Sequence, residues 1–437
     1  MLVKCQAMDT EAPKTDTGAL LELMFRLGRA YLASGEQTAL VELYLRRIAS
    51  AYGMRRSRVV AFPTAVFITV DDGNQERVTL AEAPTQTMRL DQIADVYTLG
   101  ESAQEGKVAP AEGLERLNEI LRKKPRFGAA GAILGHMVLT VGLALVLMPA
   151  LRNLVAAAIL GAIVGALKVF NRDRPILAAP TSVVAAALVS VLVFLGVKYD
   201  LPVDPQYALV PPLVTFLPGA MLTFGMVELA FGDMVSGASR LLTGIVQLVL
   251  LAFGLTAGAV LVGYSPANLM DAYRDSVDAS WAVLAPWCGV FVFWIGVYFT
   301  FSAPSNSFWW LIVVLLCAFA AQQLAAGLFG KEISGFFGTL VATPLGYVIQ
   351  KRFKGPPAMV TFLPSFWLLV PGALGLLTVK RIISDPSKLE GLISVALALT
   401  SIALGTLVGA SLYKWLTEKF DWWQLQIGRV ERFFQSR

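Results

Sequence analysis

The sequence predicts an α-helical polytopic membrane protein, with about ten transmembrane helices arranged as two inverted five-helix repeats behind a small soluble α+β N-terminal domain. Of the 437 residues, 56% are hydrophobic and only 15% are charged, whereas an average soluble domain is about one quarter charged. Charged residues are dense before Phe127, and long apolar runs that recur at a fixed offset fill the rest of the chain. This composition needs a lipid solvent and excludes a wholly soluble protein.

Residues 18–127 have the pattern of a small α+β domain, and residues 1–17 before them are expected to be disordered. Apolar residues recur at helical spacing from Gly18 to Tyr52, with Ser34-Gly35 as the interruption between two helices. Alternating apolar and polar residues around Asp71-Asp72-Gly73 then predict a β-meander or hairpin. Two short helices complete the predicted domain: Leu90–Gly100 and Pro110–Leu121.

Ten apolar segments follow, and most approach the roughly 20 residues that cross the hydrocarbon core of a bilayer. The two shortest segments, 154–170 and 332–350, are the ones expected to be mis-bounded or interrupted. The tail at 414–437 places aromatic rings among basic residues and is predicted to be an interfacial amphipathic helix. The predicted spans are 128–148, 154–170, 176–196, 207–227, 239–262, 281–301, 307–329, 332–350, 357–379 and 390–413.

The loop charges predict that the N-terminal domain and the C-terminal tail lie in the cytoplasm, with the chain in the inner (cell) membrane. Residues 1–20 contain charges and no apolar leader, and a basic cluster precedes the first span. In this orientation the cytoplasmic side carries 12 Lys and Arg residues, Lys168 among them, against seven outside. Lys380-Arg381 is the discordant site, because this topology places it outside.

An internal repeat with an offset of 153 residues relates the two predicted halves. The first two spans of each half begin 153 residues apart, and Leu217-Pro218-Gly219-Ala220 corresponds to Val370-Pro371-Gly372-Ala373. A competing register of 146 residues repeats Val214–Pro218 at Val360–Pro364. Because five spans is an odd number, the second half enters the membrane from the opposite side, as in many secondary transporters and some channels. The predicted repeats are 128–262 and 281–413.

Paired proline-glycine breaks are the best pointer to a substrate site in the sequence. Pro218-Gly219 and Pro371-Gly372 interrupt apolar segments at corresponding positions. Backbone groups freed by such breaks are tolerated in a membrane only where protein or a water-filled cavity satisfies them. The structural alternative is two proline kinks without a ligand. Further candidates to line the site lie on the same segments: Thr215, Thr223, Thr361 and Pro364.

Five polar residues are candidates for gating or ion coupling. Glu228 and Arg381 lie 153 residues apart, so an acid and a base occupy corresponding positions in the two halves. Asp233 and Arg240 belong to the connection after Glu228 and are candidates to shape a gate there. His136 is a candidate for proton coupling because an ordinary histidine titrates near neutrality, although interhelical hydrogen bonding is the simpler explanation.

Three stretches resemble the threonine/serine exporter family of bacteria, archaea and fungi. The order of a cytoplasmic domain, five spans and five more spans resembles the fused form of that family. The resemblance implies export of threonine and serine driven by the proton gradient, as an antiporter. Related split members resemble succinate exporters, and Lys380-Arg381 suits an anionic substrate. The stretches are Ser34–Glu42 through Arg47-Ile48-Ala49 to Gly53, Phe216–Thr223 through Glu228, Gly232-Asp233 and Ser236-Gly237, and Leu369–Gly372.

Three alternatives to an amino-acid exporter stay open: a dicarboxylate exporter, a soluble hydrolase that the spans anchor, and a passive channel. Residues 1–127 contain no histidine, and Ser34-Gly35 lacks the context of a nucleophile elbow, which argues against the hydrolase. No Walker A, dinucleotide-binding or metal-ligand motif is present, so no cofactor or metal is expected. The expected partners are a small-molecule substrate, protons and the lipid bilayer, without nucleic acid, and a homo-oligomer is left open.

Overall fold

The computed structural model divides into two compact units. The first comprises the described residues up to Thr87 together with Asp95–Lys123, and the second comprises Met88–Ala94 and the described residues from Lys124 onward. The ranges that the structure describes are 17–54, 56–71, 76–82, 88–147, 151–172, 174, 178–201, 203–263, 279–369 and 390–417.

The first unit is a small α+β domain, as predicted. Three strands form an antiparallel meander in sequence order, so the meander alternative is the one adopted. The strands are β1 (Arg56–Phe62), β2 (Ala65–Asp71) and β3 (Glu76–Glu82). The helices are α1 (Thr17–Ala33), α2 (Thr38–Ala51), most of α3 (Leu90–Gln104) and α4 (Pro110–Arg122). Fully buried apolar side chains on α1, α2 and one face of β2 form the core: Leu20, Leu23, Leu27, Leu45, Ile48, Val66 and Ile68.

Eight helices of the second unit are long and apolar enough to cross a membrane, counted over the described residues. Two shorter apolar helices, α9 (Gly219–Ala230) and α14 (Ala358–Leu368), accompany them. A helical membrane protein is therefore confirmed, while the number of ten spans stays a prediction. The long helices are α5 (Gly128–Leu147), α6 (Leu151–Asn171), α7 (Ala178–Lys198), α10 (Met234–Leu261), α11 (Ala279–Thr300), α12 (Phe308–Phe329), α13 (Lys331–Arg352) and α15 (Glu390–Thr417).

The interruption that the structure describes falls in the predicted fourth span, at the proline-glycine break, and not in the two shortest segments. Those two segments are longer than predicted, since α6 spans Leu151–Asn171 and α13 spans Lys331–Arg352. α6 and α13 run without a break through 154–170 and 332–350. The fourth span is instead divided into the one-turn helix α8 (Pro205–Ala208), a 3₁₀ helix at Pro211–Phe216, and α9. The fourth span contains three prolines, Pro211, Pro212 and Pro218, and none of them supplies an N–H to a helical ladder. A single internal proline, Pro344, leaves α13 continuous.

Glycines make similar helix contacts within each of the two halves. α7 and α13 begin at Ala178 and Lys331, two positions that the offset of the sequence repeat relates. Glycines of α10 approach two carbonyl oxygens of α7, and glycines of α15 approach the two carbonyl oxygens of α13 that lie 153 residues further along the chain. A residue without a side chain permits such close helix contact. This agreement supports the internal repeat, whose inversion in the membrane stays a prediction. The contacts are Gly254 with Val183, Gly258 with Ala187, Gly405 with Phe336, and Gly409 with Leu340.

The first helices of the two halves, α5 and α11, also pack through glycines on both sides. Gly142 of α5 lies against the backbone of Phe293, and Gly296 of α11 lies against the backbone of Leu139. The two contacts are reciprocal, since each helix supplies one glycine and one backbone surface. A reciprocal contact is the arrangement expected where a two-fold axis relates two helices.

Replacing Gly142 by alanine is expected to destabilise the second unit by about 1–3 kcal/mol, the usual cost of overpacking. The added Cβ would collide with the backbone nitrogen of Phe293. Gly327→Ala on α12 is the matched control, because no described atom lies within 4 Å of a Cβ built there. Helix propensity alone makes that control neutral or stabilising by up to about 1 kcal/mol. Thermal unfolding in a single detergent measures both variants, and equal shifts in Tm would contradict the close packing of α5 and α11.

Candidate functional site

The chain changes course between the 3₁₀ helix and α9, at the Pro218-Gly219 dipeptide that the sequence pattern singles out. Leu217 is extended (φ −72°, ψ 128°), and Pro218 (φ −81°, ψ 35°) is the N-terminal cap of α9. Gln247 of α10 donates a hydrogen bond from Nε2 to the carbonyl oxygen of Phe216 at 2.7 Å. A neighbouring helix thus satisfies a backbone carbonyl at the break, as a membrane interior requires.

The two short helices, α9 and α14, carry candidates from the two halves and contact each other. The ring of Phe224 packs edge-to-face on Phe366, with the ring centroids 5.4 Å apart. Thr361 is fully buried and donates its hydroxyl hydrogen within α14, whose interior also contains Pro364. Thr223 is fully buried as well, and its Oγ1 has no hydrogen-bond partner among the described residues. A buried hydroxyl in this state can accept or donate a bond to a polar ligand.

Glu228 and Arg240 form a buried ion pair between α9 and α10. The Arg240 Nε lies 3.1 Å from Glu228 Oε2, and the two side chains are 8% and 1% exposed. The sequence pattern selects both as gating or coupling candidates, and it places Glu228 and Arg381 at corresponding positions of the two halves. The structure gives Glu228 a partner on the next helix, across the turn that joins α9 to α10.

A tight α9–α10 hairpin brings this ion pair together. Gly232 adopts a φ of 84°, which reverses the chain after α9, and the backbone N–H of Asp233 donates to the carbonyl oxygen of Glu228 at 2.9 Å. Asp233 is the N-terminal cap residue of α10, so this candidate has a position at the hairpin turn. Gly225 and Gly237 lie backbone to backbone, and a Cβ on either would come within about 3 Å of the other's carbonyl oxygen.

His136 of α5 belongs to a hydrogen-bonded cluster with Thr215 and Lys168. Its Nδ1 lies 3.0 Å from the carbonyl oxygen of Gly161, and its Nε2 lies 3.2 Å from Thr215 Oγ1. Since a carbonyl only accepts, Nδ1 carries the proton, and a neutral ring then leaves Nε2 to accept from the Thr215 hydroxyl. Lys168 of α6 donates from Nζ to the same Thr215 oxygen at 2.8 Å. The imidazole nitrogens and the threonine hydroxyl are thus all hydrogen-bonded in this arrangement.

Lys168 is the residue of this region that the sequence reasoning missed. In the predicted topology Lys168 is one of the loop charges on the cytoplasmic side. The structure places it within the last turn of α6 and bonded to Thr215. Its Nζ also faces the rings of Phe216 and Phe301, at 5.5 and 5.7 Å from their centroids. Its position inside the predicted span 154–170 is the signal in the sequence that points to it.

A comparison with known protein families shows which family the chain belongs to. Residues 22–262, from α1 through the end of α10, match the family described as "Putative threonine/serine exporter". This chain belongs to the threonine/serine exporter family. The matched region of this family member contains the Pro218-Gly219 break, the Glu228–Arg240 ion pair and the cluster around Thr215.

The curated relatives of this family member include a bacterial exporter and fungal membrane proteins. The threonine/serine exporter of Corynebacterium glutamicum is 21% identical over 90% of this chain and 82% of its own length. An uncharacterized protein of Schizosaccharomyces pombe is 24% identical over 80% of this chain and 43% of its own length. Pheromone-regulated membrane protein 10 of Eremothecium gossypii is 27% identical over 37% of this chain and 22% of its own. The chain thus spans less than half of these fungal relatives. No solved structure matches.

The Ser34–Gly53 stretch of the family resemblance contains the turn between α1 and α2 and all of α2. Ser34 is buried and donates its hydroxyl hydrogen to the carbonyl oxygen of Tyr31 at 2.7 Å, beside Gly35 at a φ of 88°. The Tyr97 hydroxyl donates to the Glu36 carboxylate. Burial first, and then the Glu36 charge, raise the pKa of Tyr97 well above its ordinary value, so the phenol stays a donor. Because its hydroxyl hydrogen is bound to the Tyr31 carbonyl, Ser34 has a structural hydrogen bond and not the environment of an activated nucleophile.

Three predicted site residues lie outside the described ranges. Pro371, Gly372 and Arg381 fall within 370–389, and their predicted roles stay predictions. The predicted amphipathic tail lies beyond 417 for most of its length, so it too is outside the description. The described candidates divide into three groups: Thr215 with His136, Thr223 with Thr361 and Pro364 on the paired short helices, and Glu228 with Asp233 and Arg240 at the hairpin.

Proposed function

We propose that this chain is a secondary transporter that exports threonine and serine across the inner membrane, coupled to the proton gradient. The observation that carries the proposal is the family match over 22–262, which contains the interrupted fourth span and its buried ion pair. Interrupted helices in a membrane protein are the usual place for a polar substrate, because unpaired backbone groups and helix ends can bind it there. In this proposal the N-terminal domain and the C-terminal tail are cytoplasmic.

The substrate site in this proposal lies at the breaks of the fourth span in each half. Thr215, Pro218-Gly219 and Thr223 contribute from the first half, and the hydroxyl of Thr223 supports this because it is buried without a described partner. The second half contributes the corresponding segment, which includes Thr361, Pro364, Pro371 and Gly372. The contact between Phe224 and Phe366 supports a common site, since it joins the two short helices.

The ion pair at the α9–α10 hairpin is the proposed coupling element. Protonation of Glu228 would neutralise its carboxylate and weaken its attraction to Arg240, so the contact between α9 and α10 would depend on the local proton concentration. A short helix can shift as a unit when a buried ion pair at its C-terminal end is broken. Asp233 caps the neighbouring helix and Arg381 is the symmetric candidate of the second half, so both would shape the gates on their sides.

A dicarboxylate exporter is the second candidate function. Its supporting observation is the positive charge of the second unit near the break, since Lys168 contacts Thr215 and has no described carboxylate partner. The sequence has a second basic feature, Lys380-Arg381, after the second proline-glycine break. A substrate with two carboxylates would be attracted to such a region more strongly than a zwitterionic amino acid.

The function is tested by timed efflux from cells with and without the chain, after loading with threonine, serine or succinate. Export of threonine or serine that is faster with the chain, and that collapses with an uncoupler, is the expected result. Faster succinate loss alone would replace the amino-acid proposal with the dicarboxylate one. Efflux that an uncoupler leaves unchanged, at a clamped membrane potential, would indicate a passive channel. No difference for any of the three compounds would reject all of these proposals.

A further inference from the structure

The ammonium group of Lys168 lies among residues of other elements of the second unit. The side chain comes from α6, its hydrogen-bond acceptor Thr215 from the 3₁₀ helix, and the histidine that accepts from Thr215 belongs to α5. Phe301, which directly follows α11, supplies one of two aromatic faces around Nζ, and Phe216 supplies the other. Phe301 is itself held by stacking on Trp367, with ring centroids 4.5 Å apart and planes 12° from parallel.

The charge of Lys168 has no carboxylate counterpart among the described residues, in contrast to the buried arginine of the same unit. Arg240 is paired with Glu228 at 3.1 Å, whereas no described Asp or Glu oxygen forms an ion pair with Lys168 Nζ. Aromatic faces stabilise an ammonium group by about 0.5–2 kcal/mol, which replaces part of its hydration without neutralising it. The ammonium group has three hydrogens, and Thr215 accepts one of them.

A lysine that only anchored the end of α6 would extend its ammonium group into the headgroup layer and water. Lys168 does the opposite, because its Nζ bonds to a hydroxyl on another element and lies between two rings. The side chain is half-buried, so the group is not sealed inside the protein. The bond to Thr215 places it just before the Pro218 break, where the backbone leaves helical geometry.

We propose that Lys168, held in place by Thr215, binds the carboxylate group of the transported compound. The inference rests on the proposed function, and it deepens that function by assigning the recognition of one chemical group. Lys168 supplies the positive charge and further N–H donors, and His136 orients the Thr215 hydroxyl by accepting its hydrogen. The rings of Phe216 and Phe301 limit access to the ammonium, so a compact carboxylic acid fits better than a bulky one. Threonine, serine and succinate all carry this group.

The experiment compares Lys168→Gln with Lys198→Gln in the purified full-length chain, reconstituted into proteoliposomes. Lys198 is the matched control, since it also lies in the last turn of a long helix, α7, but is exposed. Charged hydrogen bonds of this kind change affinity by about tenfold to a hundredfold. We therefore expect Lys168→Gln to raise the KM for threonine by that factor with a smaller change in kcat, and Lys198→Gln to leave KM unchanged. Lys168→Arg, which keeps the charge, should recover part of the affinity.

A binding measurement separates failure of this inference from failure of the proposed function. Ligand-induced shifts in Tm are recorded in detergent with threonine, succinate, and threonine methyl ester, whose carboxylate is blocked. Threonine or succinate should shift the wild type and not Lys168→Gln, and the ester should shift neither. If the wild type transports threonine and Lys168→Gln retains its KM, the inference is wrong and the proposed function stands. If the wild type transports none of the compounds, a carboxylate shift that depends on Lys168 still supports the site, and no such shift overturns it.

A second variant covers the case in which Lys168→Gln does not fold. Thr215→Val keeps the shape of the side chain and removes the hydroxyl that holds both Lys168 and His136. Without that hydroxyl, Lys168 Nζ loses the hydrogen bond that positions it, and binding of the carboxylate weakens by about threefold to tenfold. A KM for threonine that rises by this factor, with an unchanged Tm in the absence of ligand, supports the inference. An unchanged KM in a folded Thr215→Val protein overturns it.

Discussion

Replacing Glu228 by glutamine is expected to abolish most transport and to destabilise the second unit by about 3–5 kcal/mol, the usual cost of removing one partner of a buried pair. The substitution leaves the Arg240 guanidinium, 8% exposed, beside a neutral amide. The substitution also removes the described ion pair between α9 and α10. Thermal unfolding in detergent measures the loss of stability, and efflux from proteoliposomes at equal protein content measures the loss of transport.

Two further variants show which consequence belongs to the charge and which to the packing. Glu105→Gln removes one partner of an exposed pair with Lys107, whose side chains are 57% and 71% exposed, and it should change neither Tm nor efflux. The double variant Glu228→Gln with Arg240→Gln has no uncompensated charge, so it should recover stability while transport stays low. Wild-type transport in that double variant would remove the ion pair from the coupling mechanism, although its structural role would remain.

The fold was predictable to the extent that it depends on local chemistry. Long apolar runs identify helices that need a lipid environment, and the alternation around Asp71-Asp72-Gly73 identifies the strands of the meander. The position of the break was also predictable at Pro218-Gly219, because proline cannot donate to a helical ladder. The length of an apolar segment was a poorer guide to its interruption. Pro211 and Pro212 divide the fourth span, while the shorter segments of α6 and α13 stay continuous.

The contacts of the candidate site were less predictable, because they join residues that are distant in the sequence. Lys168 and Thr215 are 47 residues apart and meet only when α6 packs beside the 3₁₀ helix. Hydropathy assigns a lysine near the end of a span to the loop, and it carries no information about the direction of the side chain. The partner of Glu228 was not predicted either. The repeat relates the position of Glu228 to that of Arg381 without predicting a contact, and the local turn at Gly232 brings Arg240 of the next helix back to Glu228.

Replacing Pro218-Gly219 by Ala-Ala is expected to reduce transport at least tenfold without lowering stability or membrane insertion. Proline and glycine disfavour a helix interior by about 3 and 1 kcal/mol relative to alanine. Without them, the segment from Pro211 can join α9 in a more continuous helix. That rearrangement would rotate Thr215 away from Lys168 and withdraw the backbone carbonyl that Gln247 binds. The protein would then be at least as stable as the wild type and inactive.

Pro286→Ala is the matched control, because Pro286 lies inside the uninterrupted helix α11 and its removal lengthens no helix. We expect that variant to keep wild-type efflux of threonine, while both variants reach the membrane in wild-type amounts. Transport by the Ala-Ala variant at the wild-type rate would show that the break is a tolerated kink. A stable but inactive Ala-Ala variant beside an active Pro286→Ala variant would instead tie transport to the interruption itself. The distinction matters because a proline that only bends a helix has no need of a fixed partner, whereas this break positions Thr215.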